Sequence, residues 1–241
     1  MRIVPLMVLL ALLGAPAALL CQTQEEKQKQ CESGKPDQRI LACTALIQSG
    51  KESKANLASD FINRGNAYLE KGDYDRAIND YEQAIRYDPG NAIAFFNRSN
   101  AFSNKGDYNR AIQDLDQTIR VDPNHALAYN NRCYLRAVVG QLTQALADCN
   151  KSLTLLSKDA NTLDSRGFVY LKMKNLDAAI ADYNAALAIN PKLAASLYGR
   201  GLAERSKGNQ VAAAKDIAAA KALRPNISGQ FAALGVPETY R

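Results

Sequence analysis

Residues 58–91 read ASDFINRGNAYLEKGDYDRAINDYEQAIRYDPGN, and the pattern returns every 34 residues. Arg64, Arg98, Arg132, Arg166 and Arg200 keep that interval, as do Asp80, Asp114, Asp148, Asp182 and Asp216. Ala77, Ala111, Ala145, Ala179 and Ala213 form a third identical column across the five windows. A fixed period in this range is the signature of a solenoid, in which each unit buries its apolar face only by stacking on its neighbours. Length therefore counts repeats rather than domains, and the 241 residues contain no single core.

Within the unit the pattern is helix, turn, helix. Phe61, Gly65 and Tyr68 fall on one face of a first helix at helical spacing. Gly72 and Asp73 close it, because glycine takes the left-handed closing position at no steric cost. Ala77, Ile78, Tyr81, Ala84 and Ile85 mark the inward face of a second helix, which ends before Pro89. The eighth position holds Gly65, Ser99, Cys133, Gly167 and Gly201 and the twentieth always holds alanine. Small residues in both columns imply that two helices touch there.

The unit resembles the tetratricopeptide repeat, with Gly65, Tyr68, Ala77, Tyr81, Ala84 and Pro89 at that family's small, aromatic and proline places. Five copies fit, at 58–91, 92–125, 126–159, 160–193 and 194–227. The resemblance implies an all-α, right-handed superhelix of helix hairpins. Some places depart from the family pattern: Ser157 replaces a proline, and Arg136 and Glu204 replace aromatics, which weakens the later units' cores. Residues 228–241 read as a tail, with Phe231 to Val236 a short cap over the last helix pair.

Laid on the same grid, residues 22–57 form a divergent cap repeat whose eighth and twentieth positions are Cys31 and Cys43. In an exported chain two cysteines at a helix contact read as a disulfide, with two buried thiols as the alternative. Cys133 and Cys149 stand near enough in the third repeat to pair as well. Export is suggested by the N-terminus. Arg2 precedes an apolar run from Ile3 to Leu13, then Ala15, Pro16 and Ala17, and polar sequence follows from Gln22. This order over 1–21 is that of a secretory signal, and the run is short for a spanning helix. An uncleaved anchor is one alternative, and lipidation at Cys21 another, although Leu20 is larger than a lipoprotein box prefers. The expected compartment is periplasmic or secreted, as in exported bacterial tetratricopeptide proteins, with membrane contact only through an uncleaved or lipidated N-terminus.

A net charge of +6 is spread over units of mixed sign without a basic block, which argues against a nucleic-acid partner. The single histidine, His125, sits at a repeat junction and reads as a turn or helix-start residue. No metal-ligand spacing, phosphate loop or nucleophile arrangement is present. The expectation is a binding protein with no catalytic residues, metal or small-molecule cofactor.

The resemblance further implies that the first helices line a concave groove, through positions two, five, six, nine, twelve and thirteen. Here those positions grade from asparagine, with Asn63, Asn66, Asn97, Asn100, Asn130 and Asn131, to aromatic, with Tyr134, Phe168 and Tyr198. Asparagine carries both a donor and an acceptor, so a ladder of them suits an extended peptide backbone; a solvated helix face is the other reading. The basic clamp that some family members use for a C-terminal carboxylate is not formed, since Ile62 and Leu127 replace its lysines. The arginine and aspartate columns stand roughly level across each hairpin. They imply a ladder of ion pairs, or else arginines reserved for a ligand. The partner expected is thus a protein or peptide lying in the groove, the alternative being a membrane-tethered structural or assembly subunit of an envelope complex.

Overall fold

The computed structural model describes residues 22–238; the signal segment read over 1–21, with Cys21, lies outside the described residues. Those residues form helices and no strand. They divide into two compact units, one ending at Lys105 and the other starting at Gly106. The first contains α1 (Gln24–Ser33), α2 (Pro36–Ser49), α3 (Lys54–Glu70), α4 (Tyr74–Tyr87) and α5 (Ala92–Asn104). The second contains α6 (Tyr108–Val121), α7 (Ala126–Val138), α8 (Leu142–Leu155), α9 (Ala160–Lys172) and α10 (Leu176–Ile189). It continues with α11 (Ala194–Ser206), α12 (Gln210–Leu223) and the short α13 (Ile227–Ala233). Inside each unit successive helices pack as hairpins, and each hairpin packs on the next.

The repeat sequence explains these boundaries. Gly72 has φ 75°, which an L side chain disfavours, and Asp73 then caps α4 by accepting from the Arg76 amide. Asn175 caps α10 likewise. The residue before it is Lys174, the one non-glycine with positive φ (59°) among the described residues, so the fourth repeat makes the family turn without its glycine. The alanine column is fully buried at Ala77, Ala111, Ala145, Ala179 and Ala213.

A second contact joins position eight to position twenty-four. A Cβ on Gly65 would come within 2.7 Å of the Tyr81 ring, one on Gly167 within 2.8 Å of Tyr183, and one on Gly201 within 2.8 Å of Ile217. In the third repeat the same two positions are Cys133 and Cys149, which are disulfide-bonded with Cα atoms 5.3 Å apart. The crosslink therefore occupies the place where the other hairpins fit a large side chain against a small one.

Cys31 and Cys43 are also bonded, with Cα atoms 4.8 Å apart, but Cys43 does not take the place of the alanine column. α1 ends at Ser33, three places earlier in the pattern than α3 at Glu70, and its turn is one residue shorter, so α2 starts four places early at Pro36. Every residue of α2 then stands four places further along the pattern. Cys43 becomes the counterpart of Cys149, and Thr44 that of Asn150: Arg64 donates to Thr44 as Arg166 does to Asn150. Asp37 becomes the counterpart of Asp75, and the two pair with Lys71 and Lys105 respectively. The four missing residues reappear as an extra first turn of α3, which starts at Lys54; this preserves the overall period and hides the shift from the sequence.

The arginine column is structural at Arg64, Arg132, Arg166 and Arg200. Arg64, Arg132, Arg166 and Arg200 each donate through Nε and Nη2 to both oxygens of Asp80, Asp148, Asp182 and Asp216 across the hairpin. Such two-point pairing is the strong form of the guanidinium–carboxylate bond. The remaining Nη1 reaches the preceding hairpin, at Thr44, Asp116, Asn150 and Asn184. One side chain thus ties two helices of its own repeat to the one before. Arg136 joins this network by donating to Asp148 at 2.7 Å; its charge is used rather than left in the core. Arg98 lies over the rings of Phe95 and Phe102.

Candidate functional site

The groove-position asparagines of the first unit are half-buried, and two of them serve the fold. Asn66 Oδ1 accepts from the Tyr81 hydroxyl at 2.8 Å and from Asn97 Nδ2 at 2.9 Å. This gives the buried tyrosine hydroxyl the partner it requires. Asn63 and Asn100 are also half-buried on α3 and α5. In the second unit Asn131 is half-buried, whereas Asn130 is only 8% exposed and its Oδ1 has no hydrogen-bond partner. His125 caps α7, its Nδ1 accepting from the Ala128 amide at 3.2 Å.

The three aromatic positions do not form an open set of anchors. Tyr134 is 37% exposed, but Phe168 is 4% and Tyr198 0% exposed. The chain itself covers them. Phe231, on α13, meets Phe168 edge-on with ring centres 5.8 Å apart and Tyr198 at 4.8 Å. Edge-to-face pairs at these distances are favourable beyond their burial. The segment after α13 is held by polar contacts: Lys172 Nζ donates to the Leu234 carbonyl at 3.1 Å, and Arg205 Nη1 to the Glu238 carbonyl at 2.9 Å. Glu238 also pairs with Lys221 at 3.0 Å, which holds its carboxyl below the usual range. What read as a cap over the last hairpin reaches back along the second unit to α9.

Between α13 and the repeats lies a cavity of about 310 Å³. Tyr134, Phe168 and Phe231 form an aromatic wall, and Asp164, Tyr183 and Arg224 bring polar groups to it. Asp164 Oδ1 accepts from the Ser196 hydroxyl. Burial pushes its carboxyl up to about 6, against the hydrogen bond from Ser196 and the attraction of Arg224. Tyr183 is 1% exposed and its hydroxyl has no partner; burial, then Asp164, raise its ionisation well above the ordinary tyrosine value. Sequence reasoning did not single out Asp164, Tyr183 or Arg224, and it placed Phe231 only at the start of the tail cap. Asp164 alone carried a usable signal, being a carboxylate at position five, one of the groove positions.

Tetratricopeptide repeat profiles match residues 65–106, 98–160 and 165–193. The chain is a tetratricopeptide repeat protein. No sequence among curated proteins matches it. Several solved structures share the fold. A MamA crystal structure is 25% identical, with TM-score 0.58, and the match covers 67% of this tetratricopeptide chain and 95% of that one. YrrB, described as having an unusual peptide-binding site, is 21% identical, with TM-score 0.60, over 78% of this chain and 94% of its own. A tetratricopeptide repeat protein from Parabacteroides merdae is 19% identical, with TM-score 0.71, over 86% and 85% respectively. Among the described residues no cluster of metal-ligating side chains is present, and no helix is long and apolar enough to cross a membrane.

Proposed function

We propose that this chain is a non-enzymatic interaction scaffold that holds an extended segment of another polypeptide against its first helices. The observation that carries the reading is the seating of residues 227–238 on the second unit. There a polypeptide is already bound by an aromatic side chain placed against Phe168 and Tyr198, and by main-chain carbonyls taken by Lys172 and Arg205. The same two devices, an aromatic anchor and backbone bonding, recur in peptide recognition. Exposed Tyr134 and half-buried Asn131 extend that face, and Asn63 and Asn100 offer backbone-bonding amides on the first unit. The two disulfides support an oxidising compartment, which agrees with export through a signal over 1–21 into the periplasm or beyond.

The test is site-specific photo-crosslinking in the native envelope fraction. A benzoylphenylalanine placed at Tyr134 or Asn63 is expected to capture an extended segment of a partner, identified by mass spectrometry. The same probe at Asn79, exposed on α4, is the control. Equal capture from the control position, or none from Tyr134 and Asn63, overturns the reading. The mass of the mature N-terminus distinguishes a cleaved, exported chain from a tethered one.

A further inference from the structure

The tyrosine column shows what is unusual about the cavity. Tyr81 and Tyr183 occupy the same repeat position and pack on Gly65 and Gly167 in the same way. Tyr81 finds its acceptor in Asn66, which Asn97 holds in place. Three periods further along, the counterparts of Asn66 and Asn97 beside Tyr183 are Phe168 and Gly199. Both amides are gone. A buried hydroxyl with no partner loses its hydrogen bond to water without replacement, and here it sits on a residue that lines a cavity, beside a half-buried carboxylate.

The charges on that lining are balanced but not joined. Asp164 and Arg224 both face the cavity, and among the described residues neither forms an ion pair. The Arg224 guanidinium donates through Nη1 to Gln230 Oε1, at 3.2 Å. A cation alone would be repelled by Arg224, and an anion alone by Asp164. A ligand carrying both charges satisfies each, and its apolar part meets Tyr134, Phe168 and Phe231.

We propose that this cavity binds a small zwitterion with an apolar side chain, its ammonium on Asp164 and its carboxylate on Arg224, with the Tyr183 hydroxyl donating to the carboxylate end. The volume of about 310 Å³ lies at the lower end of ligand pockets and suits an α-amino acid or a dipeptide. The raised carboxyl of Asp164 agrees with a group that gains by meeting an ammonium. This site is independent of the scaffold reading, since it requires no polypeptide partner.

The experiment is titration calorimetry on the purified chain, with tyrosine fluorescence as a second readout because the sequence has no tryptophan. The probes are leucine, phenylalanine and leucyl-leucine, each compared with its N-acetyl and its amide form. At least one zwitterion is expected to bind, with removal of either charge weakening it tenfold or more; the better of the amino acid and dipeptide arms identifies the source. Asp164→Asn and Arg224→Gln should each lower affinity at least tenfold. Tyr183→Phe, which removes a hydroxyl that has no partner in the fold, should lower it several-fold while the melting temperature stays the same or rises. Blocked probes binding as well as the zwitterions, affinities unmoved in all three variants, or no binding of any probe at millimolar concentration would each overturn the proposal.

Discussion

The ring of Tyr183 fills the space a side chain at Gly199 would need. A Cβ there would lie 2.8 Å from Cε2 of the ring and closer still to Cζ and Oη. On its other side the ring is held by Gly167, where a Cβ would meet Cε1 at 2.8 Å. A rigid ring clamped between two glycines has nowhere to move. Gly199→Ala gains about 1 kcal/mol of helix propensity, but overpacking costs about 1–3 kcal/mol, so a net loss is expected in urea unfolding. Tyr183→Phe removes the Oη contact and should recover part of that loss. If Gly199→Ala is equally harmful in both backgrounds, the hydroxyl is not the obstacle.

Arg166 donates to both oxygens of Asp182 at 2.7 Å and to Asn150 at 2.9 Å. Asp182 is buried, and the bond to it, more than its burial opposes, raises the guanidinium further. Removing one partner leaves the other facing a poorly solvated site. Alanine at both positions should then cost less than the two single changes together, by a coupling of about 0.5–3 kcal/mol. A double-mutant cycle without coupling would return the arginines to the ligand reading.

Lys174 holds a left-handed conformation, φ 59°, at the turn where the other repeats place Gly72, Gly106, Gly140 and Gly208. Relief of that strain is worth roughly 1–2 kcal/mol, less what glycine's extra freedom in the unfolded chain takes back. Lys174→Gly is therefore expected to stabilise the protein by about 1 kcal/mol or somewhat less. Unchanged or lower stability would show that contacts of the lysine side chain outweigh the strain.

The repeat period made the hairpins, their turns and the arginine ladder legible, because each depends on residues within one window or on the same column of the next. Asn66 and Tyr81 illustrate what such a reading omits. Both were visible as columns, but their hydrogen bond joins two columns, and its absence at Phe168 and Tyr183 appears only when the two are compared as a pair. Phe231 and Arg224 are hidden for a different reason. They lie at or beyond the end of the last repeat, where periodicity has no power to place a side chain, and they reach hairpins distant in sequence. The shifted register of α2 was concealed because the early end of α1 with its shorter turn and the extra first turn of α3 cancel in the overall period.

Asp60 is fully buried, and one of its oxygens, Oδ2, has no partner. Burial, then the neighbouring Glu52, push its carboxyl from 3.8 to about 6, with Gln28 opposing and Glu32 adding. The neutral form is favoured by the fold, so its stabilising contribution is complete below pH 3.8 and is lost as pH rises through about 6. Asp60→Asn removes this dependence. The stability of the variant relative to the native chain should rise across that window in urea titrations, while other groups cancel in the difference. A difference that is flat with pH contradicts the assignment.

The disulfide between Cys133 and Cys149 and the contact of Gly167 with Tyr183 are two solutions to the same packing position. Reduction of the native chain should lower stability by about 2–4 kcal/mol per crosslink, and the two crosslinks can be separated by using the Cys31→Ser, Cys43→Ser background. In that background Cys133→Gly with Cys149→Tyr should restore a small-against-large fit, because α7 and α8 pack as the other hairpins do. Cys149→Tyr alone should be worse than the pair, since the ring then meets the Cβ and sulfur of Cys133. Urea midpoints with and without reductant decide the matter. The exchanged hairpin is expected to ignore reductant and to exceed the reduced parent in stability. If the pair of changes is no better than Cys149→Tyr alone, the third repeat does not share the packing position of the first and fourth.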